Sequence, residues 1–226
     1  MAVISVQARM GSTRLPGKVL LNLGQRRTLD WVCRRCEAAA VSSTWVTTSE
    51  TASDDTITEW CRRNDVCYVR GPEDDLLARH LAVADETGAD VVIRVNADCP
   101  FVPPAEIDRV WGVHRDNDAV YTTNQTGSAP KGINVDVIDV DTLRELQADG
   151  QMHPVLPLLE SEANVALTAA PNWGGFETVE LTLDTPEDYW RLDDAVEAVG
   201  GNPKDVVQYL NDTMGQRARK TQGEPE

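Results

Sequence analysis

The segment QARMGSTRLPGKVL, Gln7 to Leu20, combines residue types that bind phosphate groups. Arg9, Arg14 and Lys18 place three cations within ten residues of a chain whose net charge is -16. Two glycines between them let the backbone turn tightly and approach a ligand closely. A polyphosphate requires backbone N–H groups together with such cations. The segment therefore predicts a phosphate-binding loop; the alternative is a basic loop that only pairs with surface carboxylates.

This loop resembles the Walker A motif but departs from it at two positions. Gly11 and Gly17 are separated by five residues, one more than the motif has. Val19 stands where the motif places the Ser or Thr that binds magnesium. A dinucleotide-binding glycine fingerprint is also absent from the sequence. We therefore expect a phosphate loop of another kind.

Two further polar clusters follow predicted strands, one at Asn96 to Asp98 and one at Asp184. In open α/β sheets, ligands bind beyond the carboxyl ends of the strands. We therefore expect both aspartates to share one site with the phosphate loop. The alternative for each aspartate is a cap on the helix that follows it.

The elements that must position these residues alternate between strand and helix along the first half of the chain. This alternation predicts an α/β fold, Rossmann-like, with a mainly parallel sheet and helices on both faces. The predicted strands cover residues 2–8, 43–48, 66–69, 90–95, 119–123, 133–140, 165–170 and 178–183. The predicted helices cover residues 28–39, 53–64, 74–88, 104–115, 142–148, 153–160, 186–199 and 203–214. No linker divides the sequence, so we expect one domain over 1–215 and a disordered polar tail over 216–226.

Composition excludes several classes of protein. Hydrophobic residues make up 41% of 226, too many for a disordered chain. No apolar run reaches the roughly 20 residues that span a bilayer, so we expect no membrane partner. The first residues lack the basic segment of a signal peptide, which predicts a cytoplasmic protein. The acidic balance argues against a nucleic-acid partner, which requires a positive surface.

The charged residues and the cysteines carry two further expectations. The chain has 17 Arg against 4 Lys among 37 acidic residues, which favours a halophilic protein from a high-salt cytosol over an ordinary acidic surface. Cys33 and Cys36 form a C-x-x-C pair within a predicted helix, and no second pair follows at zinc-ligand spacing. We expect free thiols; a metal or redox role is the alternative.

The phosphate loop and several later segments resemble one family along nearly the whole chain. QARMGSTRLPGKVL is similar to the opening of the cytidylyltransferase-like family of spore-coat polysaccharide synthesis proteins. That family is related to the synthetases that make CMP-activated acidic sugars such as sialic acid and KDO. The resemblance continues in VTTSETASDD, RGPEDDLLARH, VVIRVNADCPFVPP, PKGINVDVI, HPVLPLL and LTLDTPEDY. It implies the nucleotide-diphospho-sugar transferase fold.

The resemblance also implies a role for individual residues. The triphosphate of a nucleotide, CTP in this family, would be bound by the opening loop through Arg9, Gly11, Ser12, Arg14 and Lys18. The base and ribose would lie near Ala8, Thr48 and Ser49, with Asp75 and Arg79 on the same side. Asp98 and Asp184 would be the ligands of Mg²⁺. Arg9, Lys18 and Asp98 would be the catalytic residues.

The segment implied to bind the acceptor is where this sequence departs most from the family. PKGINVDVI has Asn134 and Asp136 where the family usually shows Asp and Glu. His153 falls where the family often has a histidine near the acceptor, although it could equally cap a helix. The HxSGT-like segment of KDO enzymes is missing, which argues against that particular activity.

The resulting hypothesis is a magnesium-dependent nucleotidyltransferase that transfers a nucleotide from CTP to a sugar acid or a related small-molecule acceptor. Pyrophosphate would be released, and the product would serve glycan or surface polysaccharide synthesis. Two alternatives stay open. One is a glycosyltransferase that uses a nucleotide-sugar donor and the D-x-D pair Asp139 and Asp141, and the other is a non-catalytic nucleotide-binding regulator. The resemblance also suggests a homodimer.

Overall fold

A computed structural model describes residues 1–41, 43–159 and 165–222 of the chain. The strands are β1 Ala2–Gln7, β2 Asn22–Leu23, β3 Arg26–Arg27, β4 Thr44–Ser49, β5 Cys67–Gly71, β6 Val91–Asn96, β7 Tyr121–Thr123, β8 Asp136–Asp139 and β9 Val165–Leu167. The helices are α1 Thr28–Glu37, α2 Asp55–Arg63, α3 Leu76–Thr87, α4 Pro104–Asp116, α5 Val140–Ala148, α6 Leu156–Leu159, α7 Pro186–Val199 and α8 Pro203–Gln222.

Seven of these strands form one sheet in the order β5-β4-β1-β6-β8-β7-β9. The pairs β4–β5, β1–β4, β1–β6 and β7–β9 are parallel, whereas β8 is antiparallel to both β6 and β7. The predicted α/β fold with a mainly parallel sheet is confirmed. Strands β2 and β3 form a separate small hairpin, which the sequence did not predict.

Apolar residues of β1 alternate between two cores, as a strand buried on both faces requires. Ile4 and Val6 pack with residues of α1, α2 and α4. Val3 packs on the opposite face with residues of α3 and α5. A third cluster joins Leu181 and Leu183 to α7 and α8. Gln7 therefore lies on the same face of the sheet as Val3, towards α3.

The predicted strand over 178–183 is wrong. Only one bridge forms there, between Lys131 and Glu180. Val179, Leu181 and Leu183 are fully buried at alternate positions, which explains the strand-like pattern. Their side chains pack in the α7–α8 cluster while the backbone makes too few pairings for a ladder.

The ends of several elements also differ from the predictions. The strands predicted over 133–140 and 165–170 are shorter, and α6 starts at Leu156 and not at residue 153. Residue 160 lies outside the described residues. Helix α8 continues to Gln222, past the predicted end at Met214. Of the tail that we expect to be disordered, residues 223–226 lie outside the described part of the chain.

The cysteines are free thiols, as expected. Cys33 and Cys36 are buried on α1, and burial raises the pKa of both thiols. This environment favours the neutral thiol and disfavours thiolate chemistry. Among the described helices, none is both long and apolar enough to cross a bilayer.

Candidate active site

The loop after β1 is held in shape by one backbone carbonyl. Met10 O accepts hydrogen bonds from Ser12 N at 2.9 Å and from Gly17 N at 3.0 Å. Gly17 has φ 71°, in the left-handed region that glycine adopts without strain. Gly11 has an ordinary φ, and a Cβ placed there would meet only Glu73 Oε1 at 3.8 Å. The tight turn therefore depends on Gly17, and Gly11 leaves the loop open towards the cleft.

Asp54 fastens this loop to the end of β4, a role that the sequence analysis missed. Its Oδ1 accepts from Met10 N at 2.7 Å, and its Oδ2 accepts from Ser49 N at 3.0 Å and from the hydroxyls of Thr48 and Ser49. Burial raises the pKa of Asp54, but the hydrogen bonds from Ser49 and Met10 outweigh it, so the pKa is lowered. In the sequence, the aspartates of VTTSETASDD are the only indication of this role, and nothing near them identifies Met10 as a partner.

Lys18 joins the loop to both predicted metal-binding aspartates. Its Nζ lies 2.6 Å from Asp98 Oδ2 and 2.6 Å from Asp184 Oδ1. Arg14 Nη2 lies 3.1 Å from the other oxygen of Asp184. Burial lowers the pKa of Lys18, but the charges of Asp98 and Asp184 and their hydrogen bonds outweigh it and raise the pKa overall. For Asp184 the balance runs the other way: burial raises its pKa, and Lys18 and Arg14 lower it below its usual range.

A backbone hydrogen bond brings the two aspartates together, and other residues cap the helices that follow them. Leu183 N donates to Asp98 O at 2.9 Å, which places the next residue, Asp184, beside the end of β6. Helix α7 is capped by Thr185 with Asp188 in a capping box, and α4 has Pro103 at its N-cap. The capping alternative is therefore wrong for both Asp98 and Asp184.

These residues line a cleft of ≈ 260 Å³ at the carboxyl ends of β1 and β6. Its lining comprises Gln7, Arg9, Gly11, Ser12, Thr13, Arg14, Lys18, Val19, Asn96, Asp98 and Asp184. The structure thus brings the predicted loop and both aspartates into one cavity. Arg9 and Arg14 are exposed at its rim, where Arg14 also pairs with Asp184.

The donor set fits a divalent cation that also binds a substrate. Among the described residues, no group of three or more His, Cys, Asp or Glu side chains could hold a metal ion. Two carboxylates, however, bracket one cation, the Lys18 ammonium group. Magnesium in nucleotide enzymes commonly takes one or two carboxylates and completes its shell with phosphate oxygens and water.

Arg79 is fully buried on α3, and its three guanidinium nitrogens have no hydrogen-bond partner within the described part of the structure. Burial lowers its pKa, and the charge of Arg9 lowers it further. Burying a polar group without a hydrogen bond costs on the order of 2 to 7 kcal/mol, and the nearby carboxylates of Asp54, Asp75 and Glu73 offset only part of the cost for Arg79.

The other residues predicted to bind nucleotide lie close to the sheet edge without lining the cleft. Ala8 is buried, and its N–H donates to Thr47 O at 3.0 Å. Thr48 and Ser49 are buried at the end of β4, with their hydroxyls committed to Asp54. Asp75 is the N-cap of α3 and accepts from Ala78 N at 2.7 Å.

The residues predicted to bind the acceptor occupy three different environments. Asn134 lines a second cavity of ≈ 220 Å³ and accepts from Gly132 N at 3.0 Å. His153 caps the turn before α6, because its Nδ1 accepts from the N–H groups of Val155 and Leu156 at 3.1 Å each. Burial, and then the charge of Arg94, lower the pKa of His153.

Asp136 does not present a free carboxylate, contrary to its predicted contact with the acceptor. It is 1% exposed, and Arg94 Nη1 donates to its Oδ2 at 2.7 Å. Its Oδ1 accepts from Tyr121, Thr123 and Gln125. Burial and four internal donors leave it no capacity for a ligand.

The D-x-D pair lies at the wrong edge of the sheet for the glycosyltransferase alternative. Because β8 is antiparallel to β6, its last residue, Asp139, pairs with Val91 at the start of β6. Asp139 also contacts His114 Nε2 at 3.0 Å and precedes α5, and the Asp141 side chain is 92% exposed. The pair therefore lies opposite the cleft.

Comparisons with known proteins identify the family to which this chain belongs. A family model described as Cytidylyltransferase matches residues 2–199. The spore coat polysaccharide biosynthesis protein SpsF of Bacillus subtilis (strain 168) is 33% identical over 223 residues, covering 91% of this chain and 92% of the relative.

Solved structures show the same fold. A cytidylyltransferase from Leptospira borgpetersenii serovar Hardjo-bovis (strain JB197) superposes with a TM-score of 0.86 at 24% identity, covering 95% of each chain. The CMP:2-keto-3-deoxy-manno-octonic acid synthetase complexed with CTP has a TM-score of 0.65 at 18% identity, covering 87% of this chain and 98% of that one. Because the family model and SpsF both span most of the sequence, this chain belongs to the cytidylyltransferase family and is a nucleotidyltransferase.

Proposed function

We propose that the protein is a magnesium-dependent cytidylyltransferase that transfers CMP from CTP to a small-molecule acceptor. The observation that carries this proposal is the meeting of Lys18 with Asp98 and Asp184 at 2.6 Å, inside a cleft lined by the cationic loop. Phosphoryl-type transfer needs cations and a metal ion around one phosphate chain, and the cleft supplies cationic side chains together with two carboxylates of the kind that bind magnesium.

The triphosphate is proposed to lie along the loop, with Arg9, Ser12 and Arg14 around its outer phosphates. All three residues line the cleft, and two of them carry charge. The base and ribose then extend towards Thr48, Ser49 and Arg79, at the end of β4 and on α3. A carbonyl or phosphate oxygen of the nucleotide would supply Arg79 with the partner that it lacks among the described residues.

Asp98 and Asp184 are proposed to hold Mg²⁺, which supplies charge neutralisation at the phosphate under attack. In the structure, Lys18 satisfies both carboxylates in its place. If Mg²⁺ displaced Lys18 from Asp98 and Asp184, the Lys18 ammonium group would be free to bind the leaving pyrophosphate.

The proposed reaction is an in-line displacement. An acceptor oxygen forms a bond to the α-phosphorus of CTP, and the bond from that phosphorus to the oxygen bridging the α- and β-phosphates breaks. A hydroxyl acceptor loses its proton to water in this step. Pyrophosphate leaves with its charge balanced by Arg9 and Lys18. The chain contributes mainly positioning and fixed charge, as in related phosphoryl transfers.

The acceptor is proposed to be a sugar acid or a related compound used in glycan synthesis. The second cavity, with Asn134, Lys131 and Gln125 in its lining, is the proposed acceptor side. Lys131 forms a bridge to Glu180, and Leu183 N donates to Asp98 O, so residues 180–184 connect this cavity to the proposed metal site. His153 and Asp136 are proposed to hold the residues that line this cavity in place.

Pyrophosphate release is the direct test. The purified chain is incubated with each of the four nucleoside triphosphates, MgCl₂, molar KCl and a panel of sugar acids. CTP-dependent release with at least one acceptor is expected, and Asp98→Asn should slow it about 100- to 1,000-fold. Asp141→Asn, at a 92% exposed position, is the matched control and should behave as wild type. Nucleotide binding without turnover for any pair would instead favour the non-catalytic regulator.

A further inference from the structure

Gln7 is the last residue of β1 and lies in register with Asn96, the last residue of β6. Both line the cleft that holds Lys18, Asp98 and Asp184. The Gln7 side chain is only partly buried, on the face of the sheet towards α3. An amide here can offer a ligand either its oxygen or its nitrogen, and the surrounding residues decide which.

The oxygen of Gln7 is already used inside the protein. Arg94 Nε donates to Gln7 Oε1 at 3.1 Å. A guanidinium group has no acceptor, so the Gln7 atom that faces it must be the oxygen. His80 Nε2 lies 3.4 Å from the same oxygen, and its Nδ1 lies 2.8 Å from Ser5 Oγ.

His80 is a neutral partner in this arrangement. It is buried, and burial followed by the charges of Arg94 and Arg79 lowers its pKa well below its usual value. A neutral ring carries one N–H, and the Ser5 hydroxyl can donate to Nδ1. The ring proton then sits on Nε2 and points to Gln7 Oε1, in agreement with the donor from Arg94.

Arg94 is itself held from the other side. Its Nη1 donates to Asp136 Oδ2 at 2.7 Å, and the two side chains are 9% and 2% exposed. The other oxygen of Asp136 is fixed by Tyr121 and Thr123. A buried ion pair with its remaining lone pairs satisfied is costly to rearrange, so the direction of Arg94 is fixed.

From this geometry we infer that the Nε2 amide group of Gln7 donates a hydrogen bond to an oxygen of the bound substrate, and that Arg94 and Asp136 position it. Within the described part of the structure, Gln7 Oε1 is fully engaged whereas Nε2 has no hydrogen-bond partner. The inference rests on the proposed function. A neutral donor suits this place because it adds no charge that would compete with a metal for Asp98 and Asp184.

The substrate oxygen can belong to the nucleotide or to the acceptor. Binding and kinetic measurements on two Gln7 variants distinguish these sources. Gln7→Glu keeps oxygens for Arg94 and His80 but has no donor at neutral pH. Gln7→Met removes the donor without adding charge. Both should lower kcat/KM by about 10- to 100-fold, the scale of one lost hydrogen bond to a charged group. If the oxygen is on CTP, the Kd for CTP rises; if it is on the acceptor, that Kd is unchanged and the loss appears in acceptor KM or kcat.

Control measurements separate this role from a structural one. Gln147→Glu makes the same charge change at an exposed position on α5 and should leave activity and melting temperature unchanged. Gln7→Glu should melt within a few degrees of wild type, because the donors of Arg94 and His80 remain satisfied. Arg94→Lys should lower kcat/KM less than Gln7→Glu, and combining the two should add little, because Arg94 acts through Gln7.

Two results would overturn the inference. Wild-type CTP affinity and turnover in either Gln7 variant would reject the amide donor while leaving the cytidylyltransferase proposal intact. A wild-type chain that binds no nucleoside triphosphate in isothermal titration with MgCl₂ would reject the proposed function and this inference together. Strictly additive losses in Gln7→Glu and Arg94→Lys would reject the positioning role of Arg94.

Discussion

Two cation–carboxylate clusters lie near the same edge of the sheet, and they differ in how completely their members are satisfied. Lys18 sits between Asp98 and Asp184, with side chains that are 12%, 23% and 20% exposed. Arg94 and Asp136 are almost fully buried, and Asp136 accepts four hydrogen bonds. The first cluster can exchange its partners for a ligand at small cost, whereas the second cannot. We therefore propose that similar charged residues serve ligand binding in the first cluster and hold the structure together in the second.

The largest expected effect comes from the exchangeable cluster. Asp98→Asn should lower kcat by about 100- to 1,000-fold, the scale of removing one preorganised electrostatic group. Its melting temperature should stay within a few degrees of wild type, because the ion pairs of Asp98 are partly exposed. Steady-state pyrophosphate assays and calorimetry check both halves. Near-normal turnover in Asp98→Asn would remove the distinction between the two clusters.

The buried cluster should show the opposite pattern. Asp136→Asn leaves the Arg94 charge buried without its carboxylate and should lower the free energy of unfolding by about 3–5 kcal/mol. Urea denaturation followed by circular dichroism measures this change. The exposed Asp141→Asn variant should stay within about 0.5 kcal/mol of wild type. Equal stability of the two variants would contradict the scaffolding role of Asp136.

Arg79 sharpens the comparison, because it is as buried as Arg94 yet has no hydrogen-bond partner among the described residues. Arg79→Met keeps the packed stem and removes the charge, so we expect unchanged or slightly higher stability without ligand. Affinity for CTP should fall about 10-fold, since one charged hydrogen-bonding group is lost. Thermal shift with and without CTP tests both effects. A less stable variant with normal CTP affinity would assign Arg79 to packing alone.

The smallest expected effect concerns the pH dependence of stability and Asp54, which fastens the phosphate loop to the end of β4. Its pKa is lowered in the folded protein, so it contributes stability above the unfolded value of about 3.9 that is lost as pH falls towards the folded value. Asp54→Asn should therefore lose less stability than wild type between about pH 5 and about pH 3. Melting curves across this range, with Asp141→Asn as the exposed control, measure the difference. Identical pH slopes in Asp54→Asn and wild type would show that Asp54 does not titrate.

The sequence predicted features that depend on local pattern. Strand–helix alternation identified the fold class, because periodicity within each element reports burial on one or both faces. The cations of the loop and the strand-end position of Asp98 indicated a common site, since strand ends converge at one edge of a sheet. The halophilic surface and the homodimer stay predictions, and melting temperature against KCl concentration tests the first.

Other features depend on partners that are distant in sequence. Nothing local to Asp136 indicates that Arg94 and Tyr121 bury it, and nothing in DTPED shows that Thr185, and not Asp184, caps α7. Alternation in residues 178–183 predicts a strand, but whether a strand joins a sheet depends on the edge that it meets. The role of Gln7 emerges only when its oxygen is seen to be occupied.

The hydrogen bond from Leu183 N to Asp98 O joins distant parts of the chain, which has a consequence for folding during synthesis. Lys18 and Asp184 are 166 positions apart, so the proposed metal site is complete only after most of the chain has left the ribosome. Contacts between such distant residues form late, because closing a long loop costs entropy before it gains contacts. An incomplete nascent chain thus carries the phosphate loop without its second carboxylate, and the capacity for catalysis arrives with the last third of the protein.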